Sequence, residues 1–144
     1  MTGKVHRIIV INSEPEENAF LQTFLENRGF EVFASLSVCQ GIEQLEHFKP
    51  ELLIVDALSS GEKTAGEKMT TTESSLKRLF AQKRVKDIPV IFISTIPLKT
   101  LTFRRKKFYR ELCSGKREKI LFLEKPLQED ELLNSICILT NHYP

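Results

Sequence analysis

Four short apolar runs recur along the chain: Ile8-Ile9-Val10-Ile11, Leu52-Leu53-Ile54-Val55, Val90-Ile91-Phe92-Ile93 and Ile120-Leu121-Phe122-Leu123. Each is continuous rather than alternating, and they are mostly β-branched. That is the pattern of strands buried on both faces of a parallel sheet, with helices covering each side. A fifth, weaker run, Phe30-Glu31-Val32-Phe33-Ala34, alternates and predicts a half-exposed edge strand.

Helical spacing fills the intervals. Residues 16–28 place Phe20, Leu21, Phe24 and Leu25 on one face. Ser13 and Glu16 offer a capping box there, Pro15 sits in the first turn and Gly29 stops the helix. A second helix over 38–48 carries Val38, Ile42, Leu45 and Phe48 before Pro50. A third, over 73–83, shows Leu76, Leu79 and Phe80, and a last, over 129–141, shows Leu132, Leu133, Ile136 and Leu139. Residues 97–115 hold one more helix with a poor pattern. Five strands alternating with five helices predict a doubly wound α/β fold with right-handed crossovers. In such sheets the site lies beyond the carboxyl ends of the strands. The residues there are Asn12-Ser13-Glu14, Asp56, Ser94-Thr95 and Glu124-Lys125-Pro126.

Those residues resemble response-regulator receiver domains, the signalling modules of two-component systems, over most of the chain from Arg7 to Leu139. The family places an acidic pair after the first strand, a phosphoacceptor aspartate after the third, a Ser or Thr after the fourth and Lys-Pro after the fifth. Asp56 in LLIVDA matches the phosphoacceptor, Ser94 in IPVIFIST the hydroxyl, and Lys125-Pro126 in LFLEKPL the lysine and the proline that usually follows it in cis. Phe122 matches the aromatic switch position. The resemblance implies a flavodoxin-like (βα)5 fold with a five-stranded parallel sheet and one domain over 1–144, with protein partners: a histidine kinase or a downstream effector. It implies a signalling role rather than an enzyme.

The match is incomplete where the metal should bind. NSEPEE stands where the family has a DDEPE-like stretch, so Asn12 and Ser13 replace two aspartates. Phosphoryl transfer to a carboxylate depends on positioning and on charge neutralisation by Mg²⁺, a hard ion held by carboxylates and water. Losing two negative charges leaves Asp56 facing Lys125 as a simple ion pair. This describes an atypical receiver, or pseudo-receiver, in which phosphorylation at Asp56 is weak or absent. The alternative is a working phosphorylation site in which Glu14 joins Asp56 in holding Mg²⁺. A first-turn charge favoured by the helix dipole is the plainer role for Glu14. The family's Met-Pro loop after Asp56 is also replaced, by the long polar stretch ALSSGEKTAGEKMTTTESS.

Composition narrows the field further. The 144 residues carry 41% hydrophobic and 28% charged residues, enough for a packed core. Cys39, Cys113 and Cys137, like His6, His47 and His142, are too scattered for a zinc site or a disulfide framework. No apolar run approaches the roughly 20 residues of a membrane span, and MTGKVHRIIV runs straight into a strand pattern, so a soluble cytoplasmic protein is expected. NSEPEE lacks glycine and is acidic, which argues against a nucleotide- or flavin-phosphate cradle.

The net charge of +2 is unevenly spread. Residues 104–119 hold Arg104, Arg105, Lys106, Lys107, Arg110, Lys116, Arg117 and Lys119 against Glu111 and Glu118, a net +6 that leaves −4 elsewhere. Three readings stay open for this segment. It is a solvated helix face with Phe103 and Phe108 buried, a docking surface for an acidic protein, or a nucleic-acid site with Phe103, Phe108 and Tyr109 stacking on bases.

Overall fold

The computed structural model describes residues 6–56, 73–94, 98–116 and 119–140. Most of the polar loop after Asp56, together with Thr95, Arg117, Glu118 and His142, lies outside them. The elements run β1 (Arg7–Ile11), α1 (Pro15–Glu26), β2 (Glu31–Ser35), α2 (Val38–Phe48), β3 (Leu52–Asp56), α3 (Glu73–Phe80), β4 (Val90–Ser94), α4 (Phe103–Leu112), β5 (Ile120–Glu124) and α5 (Glu129–Thr140), with short 3-10 turns at Lys83–Asp87 and Leu98–Thr100. All four strand pairings are parallel, in the order β2-β1-β3-β4-β5. The alternating segment is the edge strand β2, as its pattern predicts. The order reverses between β1 and β3, so Asn12 and Asp56 flank the crevice that the reversal opens.

Two apolar layers sandwich the sheet, because successive strand residues face opposite sides. On one side Ile9, Ile11, Leu53, Val55 and Phe92 pack with Val38, Leu45, Leu76, Leu79 and Tyr109 from α2, α3 and α4. On the other, Ile8, Val10, Ile54, Ile91 and Leu123 pack with Leu21, Leu25, Leu132 and Ile136 from α1 and α5. This explains the continuous runs of β1, β3 and β4; β5 is the second edge strand, with Leu121 and Phe122 only half-buried, so its continuous run does not mark burial on both faces.

Local details differ from the sequence pattern in four places. The cap of α1 is Glu14, whose carboxylate accepts from the Glu16 amide at 3.4 Å, with Pro15 at the first helical position; Ser13 is exposed and is not the cap. Phe20 is exposed at the margin of the α1 stripe while Leu21, Phe24 and Leu25 are buried. Helix α3 stops at Phe80, and the chain tightens into the 3-10 turn Lys83–Asp87. Helix α4 buries fully only Tyr109, with Phe108 and Leu112 half-buried, which accounts for its poor periodicity.

Candidate functional site

The site grows from the ends of the strands. β3 delivers Asp56, β4 delivers Ser94, and Lys125 follows β5, its amide donating to the Ser94 carbonyl at 2.7 Å. The Lys125–Pro126 bond is cis, as the resemblance implies. Lys125 Nζ lies 3.2 Å from Asp56 Oδ1, with side chains 18% and 13% exposed. It lies nearer still, at 2.7 Å, to Glu17 Oε1 from the first turn of α1. The same Glu17 oxygen accepts from Asn12 Nδ2 at 2.7 Å. One ammonium is thus held between two carboxylates, and an amide steadies the second of them.

Burial works against these charges and the pairing overcomes it. Burial raises the Glu17 carboxyl, but the hydrogen bonds from Asn12 and Lys125 and the charge of Lys125 hold it below its ordinary value. For Lys125, burial lowers the ammonium; the Glu17 bond and the charges of Asp56 and Glu17 more than offset this and raise it. Both partners of the Glu17 bond are therefore charged at neutral pH.

Asn12, fully buried, has both ends of its side chain in use. Its Nδ2 holds Glu17, and its Oδ1 accepts from the Glu14 amide at 2.9 Å, turning the chain into α1. Asn18, also buried, donates to the carbonyls of Asn12 and Ser35 and ties α1 to the ends of β1 and β2. Glu14 is exposed at the helix start, and Ser13 is exposed beside it. Among the described residues no group of three or more His, Cys, Asp or Glu is arranged to hold a metal ion. With Asn12 and Ser13 neutral, Glu14 capping α1 and Glu17 paired with Lys125, the residues around Asp56 do not fit Mg²⁺ well.

No protein-family model matches the sequence, and a search of curated proteins returns no match. Solved structures do match, across nearly the full length. A CheY-like response regulator receiver domain protein from Methanospirillum hungatei JF-1 aligns with TM-score 0.71 at 14% identity, over 96% of this chain and 95% of that one. Chemotaxis protein CheY4 of Vibrio cholerae aligns with TM-score 0.70 at 14% identity, over 92% and 97%. A putative response regulator from Chloroflexus aurantiacus J-10-fl gives 0.69 at 19% identity, over 96% and 100%. The chain has the receiver fold.

On this scaffold Asp56 ends β3, the 2%-exposed Ser94 ends β4, and Lys125 directly follows β5. Phe122 faces the other way, half-buried and stacked on Phe92 at 5.0 Å, with the edge of Tyr109 at 6.1 Å.

The basic segment is less uniform than its sequence. Arg105 is half-buried, while Lys106, Lys107 and Arg110 are exposed; Arg104 is forked onto Glu73 of α3 at 3.1 and 3.3 Å. Lys116 turns inward to the carbonyls of Val85 and Ile88, the latter at 2.7 Å, and lies 5.4 Å over the Phe80 ring. It closes the 3-10 turn rather than adding to a surface field. Phe103 is 76% exposed, Tyr109 is buried and Phe108 packs against the core, so neither the fully buried pair nor the three-ring stacking face is what forms. Glu17 and Asn18 belong to the site, though no motif in the sequence marks them. Their signal was faint: both continue the Leu21, Phe24, Leu25 stripe towards the strand ends with polar residues.

Proposed function

We propose that this chain is an atypical receiver, a signalling module that acts through protein contacts and not through metal-dependent phosphorylation of Asp56. One observation carries the reading. Lys125, 3.2 Å from Asp56, lies closer still to Glu17, at 2.7 Å, so this α1 carboxylate is taken up by the lysine and is not open to a divalent cation. The neutral Asn12 and Ser13 add no charge to attract one, and Glu14 is spent on capping α1. Glu17 thereby holds the lysine that, in a phosphorylated receiver, would turn to the phosphoryl group, and the domain stays in one state. Its partner is then a histidine kinase or a downstream effector that reads a fixed surface.

The test is an NMR titration of the ¹⁵N-labelled chain with Mg²⁺ and then with beryllofluoride. The expected result is no saturable shift at Asp56, Ser94 or Phe122 in millimolar Mg²⁺. The double variant Asn12→Asp/Ser13→Asp should gain one, because it restores the missing acids. Saturable shifts in the unmodified chain would overturn the proposal in favour of a phosphorylatable receiver.

A further inference from the structure

Away from the strand ends, α3 and α4 enclose a groove of about 310 Å³ lined by Lys77, Phe80, Ala81, Phe108, Glu111 and Leu112. Its walls are apolar, from Phe80, Phe108 and Leu112, all half-buried and packed on the core. The two helices around it carry Lys77, Arg78, Arg104, Arg105, Lys106, Lys107 and Arg110 against Glu73 and Glu111. Arg104 already takes Glu73. That leaves six cations on the two helices against a single acid, Glu111; Lys77 and Glu111 line the groove itself, and Phe103 stands exposed at the start of α4. An apolar slot inside so one-sided a field selects its occupant by charge: the attraction acts over about 10 Å at ordinary salt, and the apolar walls act at contact.

We infer that this groove is a docking site for an acidic amphipathic helix of a partner protein, which inserts apolar side chains between Phe80, Phe108 and Leu112 while its carboxylates face Lys77, Lys107 and Arg110. The occupant is a helix because anchors one turn apart on one face match a groove between two helices. A polynucleotide fits less well, since Tyr109 is buried and offers no stacking face. The groove also touches a stack of rings under the sheet. Phe80 stacks on Phe92 at 5.8 Å, Phe92 stacks on Phe122 at 5.0 Å, and Phe122 lies three residues before Lys125. Filling the groove therefore presses on a ring stack that crosses β4 and reaches β5.

This inference rests on the reading of the chain as an interaction module, and the two fail separately: peptide docking is read at the groove, the Mg²⁺ and beryllofluoride response at Asp56. The probe is a capped helical peptide with Leu and Phe four residues apart among glutamates, titrated into the labelled full chain. Saturable shifts are expected at Lys77, Ala81, Phe108 and Leu112, with smaller ones at Phe122. Lys77→Glu/Arg110→Glu should weaken binding about tenfold or more. Ala81→Trp, which fills the groove from an exposed position and removes no core side chain, should abolish the shifts. Three outcomes would overturn the inference. One is equal binding of the same peptide with serines for Leu and Phe, which would mean charge alone. The second is equal or tighter binding of a single-stranded oligonucleotide at those residues. The third is concentration-dependent dimerisation, seen by light scattering, that shifts the same amides with no peptide present.

Discussion

Lys125 Nζ and Glu17 Oε1 are 2.7 Å apart although 108 residues separate them in the chain, and this contact, shorter than the 3.2 Å between Lys125 and Asp56, joins α1 to the end of β5. It makes the site a three-charge group rather than a pair.

Removing the cation leaves two partly buried carboxylates facing each other. Lys125→Met is expected to destabilise the chain by about 1–3 kcal/mol, and Glu17→Gln by less, since Asp56 still pairs with the lysine. The double variant should cost less than the two single losses together. Urea midpoints of the three variants measure the coupling; strict additivity would mean that the 2.7 Å contact contributes nothing.

The same contact sets a pH dependence. Glu17 lies below its ordinary value of 4.5 when folded, so its contribution is complete above that value and is lost as pH falls through the lower folded one. Lys125 lies above its ordinary 10.5, so its contribution is complete below that pH and fades as pH rises through the raised value. Stability measured from pH 7 down to pH 3 should fall less steeply in Glu17→Gln than in the unmodified chain.

Gly41 is where α2 meets β1 most closely. A Cβ there would stand 2.7 Å from Ile11 Cδ1 and 3.1 Å from Cγ1, and Ile11 is 1% exposed with little room to move. Gly41→Ala gains helix propensity but overpacks this contact, for a net loss of roughly 1–2 kcal/mol. Adding Ile11→Val, which deletes Cδ1, should recover part of it in thermal melts.

The cysteines should separate by reactivity. Cys39 is exposed, whereas Cys113 is buried and burial pushes its thiol up to about 11. At pH 8 a thiol reagent should modify Cys39 at least about a hundredfold faster than Cys113. Cys113 should become reactive only in denaturant, as mass spectrometry of the labelled peptides would record.

Lys116 links the α4–β5 connection to the 3-10 turn through the Val85 and Ile88 carbonyls. Burial, with the nearby charge of Lys119, brings its ammonium down to about 8, against the opposing pull of Cys113 and Asp87. Between pH 8 and its ordinary 10.5 the folded chain holds fewer protons there than the unfolded one, so this residue raises stability as pH climbs through that window. Lys116→Met should lose that slope, read from urea unfolding at pH values on either side of the window.

By itself the sequence determined the order of the elements and therefore the sheet. Runs such as Ile8–Ile11 and Leu52–Val55 are apolar at every position because helices cover both faces, and that pattern is local and readable. It also placed Asp56, Ser94 and Lys125 at strand ends, since a run and the residue after it are adjacent in the chain. The weak helix α4 was only dimly legible, because Tyr109 alone is fully buried there and a single anchor makes no period. Tertiary structure alone decided which charges meet. Glu17 reaches Lys125 because α1 and β5 are brought together by packing on a shared sheet, and Lys116 turns from a surface cation into a carbonyl partner for the same reason. Side-chain pairs at large sequence separation are set by how helices lie on the sheet, and no spacing along the chain encodes that directly.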